Sequence, residues 1–175
     1  MVKNKKAIFF DRDGTLIKSF VSKKKQPVAI KKLKDFKLIK NVKFVVNQLS
    51  KKYYIIVITN QPDVSRGRNS KENVIKINLK LQEVLKIDKI YTSYSDNDKN
   101  YLRKPNPGMI YLAKKNFKLN LQNSYVVGDR DKDIFAGKKA KCKTVLIKKI
   151  YNNKNLSKPD FKIKNFKELL RIIKS

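Results

Sequence analysis

Histidine and tryptophan are absent from this 175-residue chain, and Cys142 is its one cysteine. Without histidine, proton transfer in any active site falls to carboxylates, and zinc loses its commonest nitrogen ligand. A single thiol excludes an internal disulfide, so a reducing, cytoplasmic setting is expected and Cys142 reads as a small core residue. Long hydrophobic runs are missing too: the longest strongly apolar one, Ile55–Ile58, is far short of the roughly 20 residues of a membrane helix. The opening "MVKNKKAIFFDRDG" begins basic, but its apolar stretch is too short for a secretion signal and no small-residue cleavage site follows. No membrane association is expected.

Acidic residues are scarce, 14 Asp and Glu against 44 Lys and Arg, for a net charge of +30. Such a balance invites a nucleic-acid reading. Against it, the arginines are only Arg12, Arg66, Arg68, Arg103, Arg130 and Arg171, whereas phosphate readers favour the planar guanidinium fork. Lysine is spread along the whole chain together with Ile and Asn, which points to compositional drift and a solvated surface. A nucleic-acid partner is not expected.

What is present is a rhythm of short apolar runs separated by helical patterns. Ala7–Phe10, Tyr54–Thr59, Ser124–Val127 and Thr144–Ile147 read as buried strands, with a shorter one inside Ile87–Thr92. Val42, Val45, Val46 and Leu49 fall at helical spacing. So do Val74, Ile77, Leu81, Val84 and Leu85, behind Ser70 as N-cap. Further helices are expected from Pro107, over Asp131–Ala140 and over Phe166–Ile173, while residues 18–40 read as irregular and 152–159 as a polar patch. Strands that are continuous apolar runs, alternating with helices, predict an α/β chain. The expected architecture is a Rossmann-like three-layer sandwich around a mainly parallel sheet of five strands or slightly more. One domain over residues 1–175 is expected, without a large cap.

In such sheets ligands bind beyond the carboxyl ends of the strands. There the chain places Asp11 and Asp13 in "FFDRDGTL", Thr59-Asn60-Gln61, Arg103-Lys104-Pro105, and Gly128-Asp129-Arg130 with Asp133 a turn later. Side chains two apart on an extended strand share a face, so Asp11 and Asp13 are expected together, joined by Asp129. Three carboxylates in one volume repel unless a cation sits among them, and hard oxygen ligands favour Mg²⁺. One carboxylate there can attack phosphorus to form an aspartyl-phosphate, while a second acts as general acid and then base. Lys104 supplies compensating charge and Thr59 a hydroxyl donor. Asp133, near a helix start, reads as a cap.

In order, "DRDGTL", "TNQ", "RKPNPGM" and "GDRDKD" resemble the haloacid dehalogenase superfamily, over about residues 7–147. The resemblance implies Asp11 as nucleophile, Asp13 as general acid/base, and Thr59 and Lys104 as phosphoryl-stabilising groups. It also implies Mg²⁺ held by Asp11, Asp129 and the backbone carbonyl of Asp13. Within the superfamily the motifs are most similar to the D-glycero-D-manno-heptose 1,7-bisphosphate 7-phosphatases, and also to histidinol-phosphate phosphatase domains. By that likeness Arg103 and Lys104 recognise substrate, Asn60 lies close to the phosphate, and the segment of Ser19 and Ser22 faces substrate. Arg66 is a weaker candidate, since a surface turn also explains it.

One departure stands out. These families commonly carry a zinc loop of Cys-x-His and Cys-x-Cys before the Arg-Lys-Pro motif. Here the segment 93–102 is "SYSDNDKNYL", with Ser93, Ser95, Asn100 and Leu102 near the ligand positions, so no zinc is expected. The expected function is thus a monomeric, Mg²⁺-dependent phosphatase of a small sugar bisphosphate, a heptose for envelope lipopolysaccharide above all. Polynucleotide 3′-phosphatases, which share "TNQ" and Arg-Lys-Pro, and histidinol-phosphate phosphatases are the alternatives.

Overall fold

The computed structural model describes residues 5–22, 26–151 and 156–173. Six strands, β1 (Ala7–Phe10), β4 (Tyr54–Asn60), β5 (Lys89–Ser93), β6 (Tyr125–Gly128), β7 (Lys143–Ile147) and β8 (Phe161–Ile163), form one sheet. Its order is β5-β4-β1-β6-β7-β8 and every pairing is parallel. Strand β1, the first in the chain, is therefore central: β4 and β5 follow outward on one side, β6, β7 and β8 on the other, so the strand order reverses between β1 and β6.

Alternation along β1 and β4 builds two cores. Ile8, Phe10, Ile55 and Val57 pack with Val45 and Val46 of α1 (Val42–Leu49) and with Ile77 and Leu81 of α2 (Lys71–Val84). The neighbouring Ala7, Phe9, Ile56 and Ile58 turn to the other face. There they meet Met109, Ile110 and Ala113 of α3 (Gly108–Phe117) and Ala136 of α4 (Asp131–Lys139). A sheet buried on both faces needs these near-continuous apolar strands, and a three-layer sandwich results. Phe166 and Leu169, at the start of the last helical turns, seal the first core; α5 covers Leu169–Ile172. Ser70 caps α2 as its position suggests, its side chain accepting from the Asn73 N–H.

Six strands fit the expected five or slightly more; the sixth, β8, is too short and too exposed at Phe161 to stand out as a strand in the sequence. Two sequence expectations change. Segment 18–40 is not irregular throughout: β2 (Phe20–Val21) and β3 (Pro27–Val28) pair antiparallel, and a 3₁₀ turn spans Leu33–Asp35. Pro107 stands just before α3 rather than inside it. Of the polar patch at 152–159, residues 152–155 lie outside the described residues, as do residues 1–4 of the opening segment.

Candidate active site

Strand β1 continues its pairing for one residue past Phe10, the Asp11 N–H donating to the Val127 carbonyl of β6 at 2.9 Å. The chain then turns sharply, Leu16 and Ile17 both donating to the Arg12 carbonyl and Gly14 to that of Ile17. Gly14 has φ +88°, and a Cβ there would collide with the Asp129 carboxylate, so only glycine allows the turn and the close approach together.

At this turn Asp11 and Asp13 take different partners. Asp11 joins Asp129 and Asp133, with a ligand oxygen of each within 4.8 Å of the others. The Asp13 carboxylate lines the same cavity but is held by other partners: Oδ2 accepts from Arg12 Nε at 2.9 Å and Gln61 Nε2 at 2.9 Å, and Oδ1 from the Ile30 N–H at 3.3 Å. The three-carboxylate set expected from the sequence is thus corrected from Asp11, Asp13 and Asp129 to Asp11, Asp129 and Asp133. The reason is that β1 ends before Arg12, whose fully buried guanidinium donates Nε to Asp13 and Nη1 to Asn78 of α2.

Lys104 compensates the cluster. Its ammonium donates to Asp11 Oδ1 at 2.6 Å, Asp133 Oδ1 at 2.7 Å and the Ile58 carbonyl at 2.7 Å. Burial alone would pull its pKa down; the two carboxylates outweigh that and hold it above its ordinary value. Burial pushes Asp11 up, the Lys104 ammonium opposing and Asp133 adding to the rise. Asp129 is pushed up to about 7, by burial first and then by Asp11 and Asp133. Carboxylates crowded until they resist ionisation are what a bound divalent cation relieves. An all-oxygen donor set within this span suits a hard ion such as Mg²⁺.

The other expected residues surround this centre. The Thr59 hydroxyl, buried at the end of β4, accepts from Gln61 Nε2 at 2.8 Å, which leaves its own hydrogen to donate. Asn60 clips the next strand's loop in place, exchanging both amide bonds with the Lys104 main chain at 2.9 and 3.1 Å. Arg103, almost fully buried, donates Nε to Asp98 and Nη1 to the Ser95 carbonyl. Asp11, Asp13, Thr59, Asn60, Arg103, Lys104, Arg130, Lys132 and Asp133 all line one cavity of about 100 Å³. Ser22 does not: its hydroxyl accepts from the Gln26 N–H and closes its own hairpin. Ser19 bonds to Tyr151 rather than lining the cavity. Arg66 pairs with Asp96 on the exposed surface, outside the cavity lining.

Several participants escape sequence reading. Asp133 is both cap and site residue: Oδ2 accepts from the Arg130 N–H at 3.0 Å while Oδ1 holds Lys104. Thr15 donates to Asp129 Oδ1 at 3.1 Å, and the Tyr151 phenol donates to Asp129 Oδ2. Gln61 joins Thr59 to Asp13. The run "TNQ" offered a signal for Gln61; nothing in the sequence marks Tyr151.

Comparison with known proteins places this geometry. A family model described as polynucleotide kinase 3 phosphatase matches residues 6–167. The D-glycero-beta-D-manno-heptose-1,7-bisphosphate 7-phosphatase of Helicobacter pylori (strain ATCC 700392 / 26695) is 33% identical over 97% of this chain and 98% of its own. The D-glycero-alpha-D-manno-heptose-1,7-bisphosphate 7-phosphatase of Campylobacter jejuni is 31% identical over 97% of this chain and 96% of its own. Among solved structures, the D,D-heptose 1.7-bisphosphate phosphatase from B. bronchiseptica, complexed with magnesium and phosphate, superposes with a TM-score of 0.79. It is 21% identical and covers 95% of this chain and 99% of its own, a likeness of fold.

Proposed function

We propose, from the premise that the chain belongs to the haloacid dehalogenase-like phosphatases, that it removes the 7-phosphate of D-glycero-D-manno-heptose 1,7-bisphosphate through an aspartyl-phosphate on Asp11. The observation that carries the reaction is the Lys104 ammonium bridging Asp11 and Asp133 beside Asp129 at the floor of a buried cavity. The substrate rests on relatives more than 30% identical along nearly their whole length.

Asp11 attacks phosphorus as the ester oxygen departs opposite, and Asp13 in its acid form gives that oxygen its proton. Asp13, now a carboxylate, takes a proton from water, whose oxygen displaces Asp11 and releases inorganic phosphate. Gln61 and the Ile30 N–H hold Asp13 for both steps. Lys104 and the Thr59 hydroxyl stabilise charge on the transferring group. Asp11, Asp129 and the Asp13 carbonyl would hold Mg²⁺, with Asp133 adjacent, and the ion would neutralise phosphoryl oxygens and align the ester. Residues 1–175 act as one monomeric domain, with Ala29 of segment 18–40 facing substrate and loop 93–102 bordering the pocket beside Arg103. A cytoplasmic role in making lipopolysaccharide heptose fits this reading. No helix among the described residues is long and apolar enough to cross a membrane.

A second reading, removal of a 3′-phosphate from a polynucleotide, draws on the matched family description and on the net charge of +30. The residues lining the cavity include no aromatic ring on which a base could stack. A phosphate-release screen with Mg²⁺ over both heptose bisphosphate anomers, histidinol phosphate, other sugar phosphates and 3′-phosphorylated oligonucleotides separates the readings. Heptose bisphosphate should lead. A preference for oligonucleotide ends would reject the substrate, and turnover surviving in Asp11→Asn would reject the mechanism.

A further inference from the structure

Residues 94–106 carry Arg103 and Lys104 to the cavity without a strand or helix of their own. Backbone groups in such a segment need partners, and short polar side chains provide them. Ser95 Oγ accepts from the Asn97 N–H, Asn97 Oδ1 from the Lys99 N–H, and Asn100 Oδ1 from the Leu102 N–H. Asn106 Nδ2 donates to the carbonyls of both Asp98 and Asn100.

Asp98 is the hub of this arrangement. Its Oδ1 accepts from Arg103 Nε at 2.8 Å and from Lys132 Nζ of α4 at 2.9 Å, so one carboxylate ties the loop to the helix that also bears Asp133. These two bonds hold its pKa down to about 2, and it stays ionised wherever the enzyme would work. Asp98 does not line the cavity; its two cationic partners do. Its side chain is 63% exposed, and ion pairs so open to water add little to stability. Folding alone therefore gives a thin reason for the arrangement.

We propose that Asp98 is a positioning residue for substrate selection. By fixing Arg103 and Lys132 at the cavity it prepares two cations for an anionic group on the part of the ester beyond the transferred phosphoryl. The inference rests on the phosphatase reading above. Asp98 has two opposed effects on such a ligand: it orders the cations, and it partly neutralises them. Ordering is the larger effect where the guanidinium is nearly buried and must be aligned to donate.

The test compares heptose 1,7-bisphosphate with p-nitrophenyl phosphate, which has no second anionic group. In Asp98→Asn, KM for the bisphosphate should rise about tenfold with kcat changed by less than about twofold, and KM for p-nitrophenyl phosphate should stay put. Asp98→Glu should recover part of the loss, and the melting temperature of both variants should match the parent. If the bisphosphate is bound without turnover, its inhibition constant against p-nitrophenyl phosphate hydrolysis gives the same comparison. An unchanged or lowered constant in Asp98→Asn, an equal rise for both compounds, or no binding of the bisphosphate by the parent protein overturns the proposal. Hydrolysis that survives Asp11→Asn, or is absent for every ester, overturns the phosphatase reading instead.

Discussion

The carboxyl end of the central strands holds a cavity of about 100 Å³ in which Asp11, Asp13 and Asp133 face Arg103, Lys104, Arg130 and Lys132. The amino end of the same sheet has a far larger groove, about 690 Å³, lined by Lys5, Lys114, Lys118, Lys139 and Lys141 with no carboxylate among its walls. Volume and positive charge both favour the groove as a binding site. What it lacks is commitment: no carboxylate stands among its walls to hold its lysines, whereas at the carboxyl end Lys104 is clasped by Asp11 and Asp133, and the pKa values of Asp11, Lys104 and Asp129 are all displaced. Ionised groups held out of water against their own hydration mark a site more reliably than an inviting concavity does.

The contrast can be broken by mutation. The largest effect is expected from Lys104→Met, which leaves Asp11 and Asp133 facing each other without their shared cation. Steady-state kinetics should show kcat reduced by about 10³-fold. Denaturant melts should show a loss on the order of 3 kcal/mol, the cost of an uncompensated buried charge. Asp133→Asn should be milder, because the amide oxygen can still cap α4. A drop in kcat/KM of about 10- to 100-fold, with weaker Mg²⁺ dependence, is expected from losing an ionic partner of Lys104.

Third comes the pH dependence of magnesium stabilisation. Asp129 has its folded-state pKa raised from 3.8 to about 7. In the metal-free protein its contribution to stability is therefore full below the ordinary carboxylate value and lost as pH climbs through about 7. Added magnesium replaces the proton as the neutralising partner. The rise in melting temperature on adding magnesium chloride should be larger at about pH 8 than at about pH 5.5. A rise that shrinks with pH would contradict the cluster. Smallest of all, Lys114→Glu with Lys139→Glu in the groove should leave kcat/KM unaltered and move the melting temperature by no more than about 2 °C. A substantial loss of activity there would erase the distinction between the two ends.

The same division explains how far the sequence could be read. Strands whose apolar runs end in charged motifs announced both the sheet and the edge that bears the site, because burial on two faces leaves a continuous hydrophobic signature. Alternation groups Asp13 with Asp11 and Asp129, but it holds only while a strand lasts, and this one yields to a turn at Gly14; Asp13 lines the same cavity, but Asp133 completes the cluster. Asp133 looked like a cap and is one; a single side chain spending one oxygen on the helix and the other on Lys104 leaves no separate trace in the pattern. The β2–β3 hairpin and β8 were illegible for a different reason. Their few residues are half-buried or exposed except Ile163, and tertiary bonds such as Arg130 Nη2 to the Pro27 carbonyl tie the hairpin down. Tyr151 reaches Asp129 across a connection that no local spacing predicts.

Cys142 gives the molecule a built-in clock. Its thiol lies in the second core beside Ala136 and Ala140, and burial pushes its pKa up to about 12, so almost no thiolate exists to react while the chain is folded. With no other sulfhydryl to confuse the signal, the rate at which an aromatic disulfide reagent labels the protein counts openings of the face that α3 and α4 cover. Labelling at that single sulfur would therefore time how often the scaffold beneath the catalytic edge breathes, in any variant and without a substrate.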